Sequence, residues 1–298
     1  MKKTMIGLLA LVSLGLTGCG GGDEKADTSK SAEKETTAFT GEYIVDAEYV
    51  KKNLDDLILI DARGEEEANK GTIKGSTVIG WQNLASVEEG ASGDEKWGLV
   101  LEPAELGKRL GEKGIAKDKE VVLFAGAQKG WGDDGRIAWE LLAAGYQDVK
   151  MVDGGFTALK KSGLKTAYES TELDPVDVTI DSIDQKHMIR TDELKKDYAD
   201  YKVVDVREDK EYKGEVLYGE AKGGHLPDAI HLRFTELFQK NGKLKSKEDL
   251  TKLFEDAGLA KKDQIVTYCT AGIRSAYMEL VMEMCGFKQV KNYDGSYY

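Results

Sequence analysis

Ile265-Val266-Thr267-Tyr268-Cys269-Thr270-Ala271-Gly272-Ile273-Arg274-Ser275 decides the reading of this chain. Its first four residues are β-branched or aromatic, as in a buried strand. The apolar run from Ser275 to Met284 reads as a helix that closes with Gly286, a residue that takes the left-handed turn at a helix end. Between the two lies a compact loop headed by Cys269. A tight strand-to-helix loop turns several backbone N–H groups toward one point, and together with the helix N-terminus it makes an anion cradle. The same field favours a thiolate over a thiol. Cys269 is therefore predicted to be a nucleophile in a bowl formed by Thr270, Ala271, Gly272, Ile273 and Arg274.

Outward from this loop, the chain repeats itself. Lys119 to Ala125 matches Asp263 to Cys269, and Leu57 to Arg63 matches Tyr201 to Arg207, both at an offset of 144 residues. Ala144 to Gly155 echoes Cys285 to Ser296 at an offset of 141. Gly71 to Ser76 answers Gly224 to Ala229 at 153, so the second copy carries about nine extra residues before that point. Amphipathic helices are predicted at Pro103 to Leu110 and Lys247 to Ala257, and a helix closing with Gly145 at Ile137 to Ala144. Short apolar strands alternating with helices predict two α/β domains, each a mainly parallel sheet flanked by helices. Ligands in such sheets sit beyond the carboxyl ends of the strands. The domains are placed at 42–165 and 182–298, joined by a linker at 166–181 that contains Asp174-Pro175. Ala125 stands where the second copy has Cys269, so the first domain is predicted to be non-catalytic.

The N-terminus reads as a processing segment. Two lysines precede an apolar stretch from Thr4 to Leu16, and Leu16-Thr17-Gly18-Cys19 resembles a bacterial lipobox. Residues 1–18 are predicted to be a signal peptide and 19–41 a polar tether lipidated at Cys19, which implies an extracytoplasmic, membrane-anchored lipoprotein. A net charge of −12 argues against nucleic-acid binding. Cys269 and Cys285 are too few for a disulfide framework, and Cys285 reads as a core residue. None of the three histidines, His187, His225 and His231, has metal-ligand spacing.

Four segments resemble the tandem-domain rhodanese family, the thiosulfate and mercaptopyruvate sulfurtransferases. Cys269 to Arg274 looks like its Cys-x-x-Gly-x-Arg loop, and Asp205-Val206-Arg207-Glu208 with Glu211-Tyr212 like its Asp-x-Arg motif. Gly224 to Ile230 looks like its Gly-His-Ile-Pro-Gly-Ala segment, with Asp228 in place of glycine, and Tyr293 to Ser296 like its closing Asp-Gly segment. The resemblance implies transfer of a sulfane sulfur, from thiosulfate foremost, to cyanide or a thiol through a Cys269 persulfide. It implies no metal or organic cofactor. Asp205, Arg207 and Glu211 would support the loop, and His225 would be scaffold. Animal thiosulfate enzymes carry arginine at the position of Glu211, so donor contacts are sought in Arg233, Lys222 and Trp131, the last in the lengthened loop of the first copy. Arg274 has two readings, a pocket cation or the partner of Glu211 or Asp205. A non-enzymatic persulfide carrier or a sulfur- or redox-sensing module at the membrane is the main alternative. A cysteine phosphatase or arsenate reductase is a minor one, since its loop has five residues between cysteine and arginine where this chain has four. The expected partners are a small anionic sulfur donor, a thiophilic acceptor or acceptor protein, and the membrane through the lipid; the oligomeric state is left open.

Overall fold

The structure, a computed structural model, describes residues 37–88 and 90–298. The expected signal segment, Cys19 and all but the end of the tether lie outside the described residues. No helix among the described residues is long and apolar enough to cross a membrane.

Each repeat folds around a five-stranded sheet. In the first the strands run Ile44–Val45, Val149–Val152, Val121–Phe124, Ile58–Asp61 and Thr77–Val78; in the second, Met188–Ile189, Val290–Tyr293, Ile265–Tyr268, Lys202–Asp205 and Ile230–His231. Every pairing within these two sheets is parallel. The register preserves the repeat residue by residue: Asp61 lies beside Phe124 as Asp205 lies beside Tyr268. The fold is thus two α/β domains with mainly parallel sheets and flanking helices, as the periodicity predicts. Both Ala125 and Cys269 immediately follow the carboxyl end of an inner strand, where such sheets place their ligands.

The helices Asp133–Ala143 and Ile273–Met284 follow those two loops and pack against each other between the sheets. Gly135 lets them close: a Cβ there would stand 2.4 Å from Cδ2 of Tyr277. One apolar core runs through both domains and includes Leu123, Trp139, Ile265, Tyr277 and Met278. Each such side chain contributes about 1.5–3 kcal/mol when fully buried, so the interface is a shared core and not a surface contact.

Three boundaries differ from the sequence reading. The second helix begins at Ile273 and not near Ser275, because Gly272 at φ +76° turns the chain directly into it. Gly132, at φ +77°, does the same for the first helix, which starts four residues before its apolar run. Thr166–Ala167 is not linker but a strand, paired antiparallel with Thr72–Ile73. The rest of the expected linker, 168–181, and the residues that follow it up to 187 have no helix or strand. They lie as a strap on the helix Pro103–Glu112 and the turn after it. Cβ atoms at Gly107, Gly111 and Gly114 would stand 2.7, 2.5 and 2.7 Å from the carbonyl oxygens of Val178, Val176 and Asp174. Val176 N–H donates to the Gly111 carbonyl at 3.0 Å.

Candidate active site

Cys269 follows its strand inside the protein, 1% exposed. Its N–H donates to Ser296 Oγ at 2.9 Å, and its carbonyl accepts from Tyr297 N–H at 3.1 Å. The Thr270 carbonyl accepts from Tyr297 and Tyr298 N–H. These bonds pin the loop from behind. In front, the backbone N–H groups of Ala271 and Ser275 point at Cys269 Sγ, and the Ser275 hydroxyl donates to it at 3.5 Å. Burial opposes ionisation of this thiol. The Arg274 charge, the Ser275 hydroxyl and the two N–H groups outweigh it and hold Cys269 below the ordinary thiol range.

Arg274 sits in the first turn of the helix and is tied to one carboxylate. Its Nη1 donates to Glu211 Oε2 at 2.8 Å and its Nη2 to Glu211 Oε1 at 2.7 Å. Nη2 also donates to Thr270 Oγ1, which donates in turn to Glu211 Oε1. Glu211 is therefore the partner, and Asp205 is not. Burial opposes its charge, but Arg274 and Thr270 hold its carboxyl below the usual range. The Trp131 ring covers the guanidinium at 4.8 Å. An arginine gripped at both ends of its fork is not free to wrap a tetrahedral phosphate, which weighs against the phosphatase reading.

Asp205 and Arg207 form a separate clamp. Arg207 donates through Nε and Nη2 to Asp205 and through Nη2 to the Gly224 carbonyl at 2.7 Å. Its guanidinium stacks on Tyr297 at 3.9 Å, and the Tyr268 hydroxyl donates to Asp205 at 2.6 Å. The pair braces the residues on either side of the Cys269 loop without touching Sγ. His225 stacks on Tyr212 and bonds its carbonyl, a scaffold position. Cys285 caps its helix, and burial pushes its thiol up to about 11.

Cys269 opens into a cavity of about 560 Å³ between the two domains. Trp81, Trp97 and Trp131 wall it from the first domain, Tyr218 and Tyr298 from the second. Trp131 meets Tyr218 edge to face at 5.1 Å. Trp131 therefore lines the cleft, but the other two expected donor contacts are corrected. Arg233 pairs with Glu236 at 3.0 Å and Asp209 at 3.6 Å outside the cleft, and Lys222 is exposed on a loop that does not line it. The cations that do line it with Arg274 are Arg63 and Lys129, both from the first domain. Sequence reasoning named only Trp131 from the first domain, because the resemblance assigns its site residues to the second copy. Tyr218 was missed too, although it lies in the extra stretch that the offset of 153 reveals.

Among the described residues one cluster has metal-ligating potential, His187, Glu279 and Glu283, with ligand atoms within 4.8 Å of one another. Spacing along the chain could not reveal it, since His187 is distant in sequence from the helix that carries the glutamates. It lies outside the cleft, and Lys186 and Tyr43 both bond Glu283.

A family model described as "Rhodanese-like domain" matches residues 46–162 and again 190–298. A Mycolicibacterium smegmatis protein with the provisional name thiosulfate sulfurtransferase is 31% identical over 205 residues, 66% of this chain and 73% of that one. A sulfur carrier protein of Thermus thermophilus is 26% identical over 86% of this chain and 92% of its own length. Among solved structures, the 3-mercaptopyruvate sulfotransferase of Escherichia coli superposes with a TM-score of 0.76 at 21% identity, over 87% of this chain and all of that one.

Proposed function

The chain belongs to the rhodanese-like domain family, and from that membership we propose a sulfurtransferase whose persulfide forms on Cys269. The observation that carries the reading is the setting of that thiol, held below its ordinary range by Arg274, Ser275 and the loop N–H groups. Thiosulfate is the proposed donor. The Cys269 thiolate attacks its outer sulfur, the S–S bond breaks, and sulfite leaves with the electron pair. Cys269 then carries the sulfur as a persulfide, whose terminal sulfur sits among N–H donors. Cyanide or a thiolate attacks that sulfur, the second S–S bond breaks, and the Cys269 thiolate returns. The second domain carries the chemistry; the first, with Ala125 in the equivalent place, has no nucleophile.

A carrier role is the second reading, favoured by the Thermus thermophilus relative named as a sulfur carrier. Both readings need the persulfide, and catalytic turnover with a small acceptor separates them. We also propose, from the sequence of residues 1–19 alone, that Cys19 is lipidated and anchors the protein to a membrane outside the cytoplasm. Cys19→Ser should then move the protein from the membrane to the soluble fraction.

The test of the chemistry is intact mass after incubation with thiosulfate, for the wild type and Cys269→Ala. A gain of one sulfur in the wild type alone, lost again with thiocyanate release on adding cyanide, is the expected result. No gain from thiosulfate, 3-mercaptopyruvate or polysulfide would overturn the reading.

A further inference from the structure

The cavity that holds Cys269 does not end with the second domain. At about 560 Å³ it falls in the range of pockets that enclose drug-sized molecules, roughly 300–1,000 Å³, and a small anion such as thiosulfate fills little of it. Its far wall is the degenerate loop of the first domain, with Arg63, Glu67, Lys129, Asp133 and Phe156. Trp81, Trp97 and Trp131 line the same cavity.

The two ends differ in how their charges are used. At the Cys269 end, Glu211 and Arg274 neutralise each other. Glu67 lies 144 residues before Glu211, at the matching point of the repeat, but it meets only Lys70 at the surface. The first loop has Asp133 where the second has Arg274, at an offset of 141, and Arg136 in the same helix turn is directed to the carbonyls of Gly98 and Gly272. Lys129 is exposed, lines the cavity and makes no ion pair among the described residues. One end is therefore chemically reactive and electrically settled; the other is unreactive, with a cation in Lys129, unpaired among the described residues, and an anion in Glu67 that is held only by a solvent-exposed pair with Lys70 at 2.6 Å, a contact worth little and open to exchange.

We propose that the degenerate loop of the first domain is an anchoring subsite for the charged tail of an extended organic thiol, one that carries carboxylate and ammonium groups as an amino acid or short peptide does. Lys129 receives the carboxylate and Glu67 the ammonium, the aromatic walls cover the chain between, and the thiol sulfur reaches the persulfide on Cys269. This rests on the sulfurtransferase reading and names its acceptor class. In the step itself the acceptor thiol loses its proton to solvent, its thiolate attacks the terminal sulfur, the Cys269 S–S bond breaks, and the products are the acceptor persulfide and the Cys269 thiolate.

The experiment loads the full chain with thiosulfate, removes the excess, and follows discharge to two thiols. Glutathione has the charged tail; 2-mercaptoethanol has none. In the wild type the KM for glutathione should lie at least tenfold below that for 2-mercaptoethanol. In Lys129→Glu, a surface change that leaves the core intact, the ratio between the two should collapse by about that factor. Equal KM values in the wild type, or a variant that shifts both thiols alike, would overturn the subsite. Failure to load any sulfur would be seen before an acceptor is added and would take the sulfurtransferase reading down with it.

Discussion

Asp61 with Arg63 and Asp205 with Arg207 are built alike to within a few tenths of an ångström. Each arginine donates through Nε and Nη2 to its aspartate, and through Nη2 to a glycine carbonyl, Gly71 or Gly224, at 2.7 Å. Each lies on an aromatic ring, Phe156 at 3.8 Å or Tyr297 at 3.9 Å. The first copy keeps this clamp although it has Ala125 where the second has Cys269. A device kept where there is no nucleophile is scaffold, and Asp205 and Arg207 are best understood that way. What the copies do not share is the loop that follows. One has Cys269, Arg274 and a neutralising Glu211; the other has Ala125, Asp133 and Asp134 at the helix start, and a Glu67 that pairs with Lys70 at the surface. The difference shows how a duplicated fold divides labour: the frame is conserved in both halves, and the charges beyond the strand ends decide which half reacts.

Replacing Arg274 should narrow that difference most. Arg274→Gln leaves Glu211 buried without its cation, a loss of about 3–5 kcal/mol in a denaturant titration. It also removes the charge that holds Cys269 down, so the pH profile of alkylation at Cys269 should move upward. A variant that unfolds like the wild type would show that the pair is not what holds the loop.

A second buried arginine gives the next contrast. Arg136, from the first domain, stands 3.8 Å from Glu140 and 3.2 Å from Asp294, at ion-pair distance but without hydrogen-bond geometry, since neither Glu140 oxygen nor Asp294 Oδ1 has a hydrogen-bond partner. Burial, only partly offset by Arg136, pushes Glu140 up to about 8. Its pKa is raised on folding, so the stability it contributes is fully present below about 4.5, the unfolded value, and drains away as pH rises through about 8. Glu140→Gln should therefore flatten the fall in unfolding free energy between pH 6 and 8 by on the order of 2 kcal/mol. An unchanged slope would mean the carboxyl is already ionised at pH 6.

Ser296 and Gly155 occupy matching places, both with positive φ, at +49° and +53°. In the second copy the serine bonds the Cys269 N–H; in the first a Cβ would stand 2.2 Å from the Ala125 carbonyl oxygen. Gly155→Ser should lower stability by about 1–3 kcal/mol, read as a lower Tm, whereas Ser296→Gly should lose only its hydrogen bond, about 1 kcal/mol. Equal losses would mean the two turns are interchangeable. The smallest expected effect is the most direct challenge. Ala125→Cys in a Cys269→Ala background should gain no sulfur from thiosulfate, because burial already pushes Asp133 and Asp134 up to about 6 and about 7 and no arginine balances them. A sulfur adduct on that cysteine would erase the comparison.

The repeat, the sheets and the Cys269 loop were legible because each is a local pattern: apolar runs, a glycine at a helix end, a cysteine between them. The partner of Arg274 was open in the sequence, since Glu211 and Asp205 are both near the same strand end and only the folded geometry chooses between them. Arg233 and Lys222 misled because nearness to a motif along the chain is not nearness to the cleft. Arg63, Lys129, Trp81 and Trp97 were invisible as site residues for the opposite reason. They belong to the first domain, and they reach Cys269 only because two helices from different copies pack face to face.

The strap at 168–187 gives the repeat an unexpected genetic consequence. Its carbonyls occupy the space that side chains at Gly107, Gly111 and Gly114 would need, and the core passes without a break from one copy to the other. Units that look modular along the chain share one interior once folded. A recombination that exchanged or deleted one copy would open half of a shared interior, and one that took the strap with it would strip a glycine-faced helix bare. Selection is thus expected to inherit the pair as one allele, with mutations in the silent copy felt as losses of fitness in the active one.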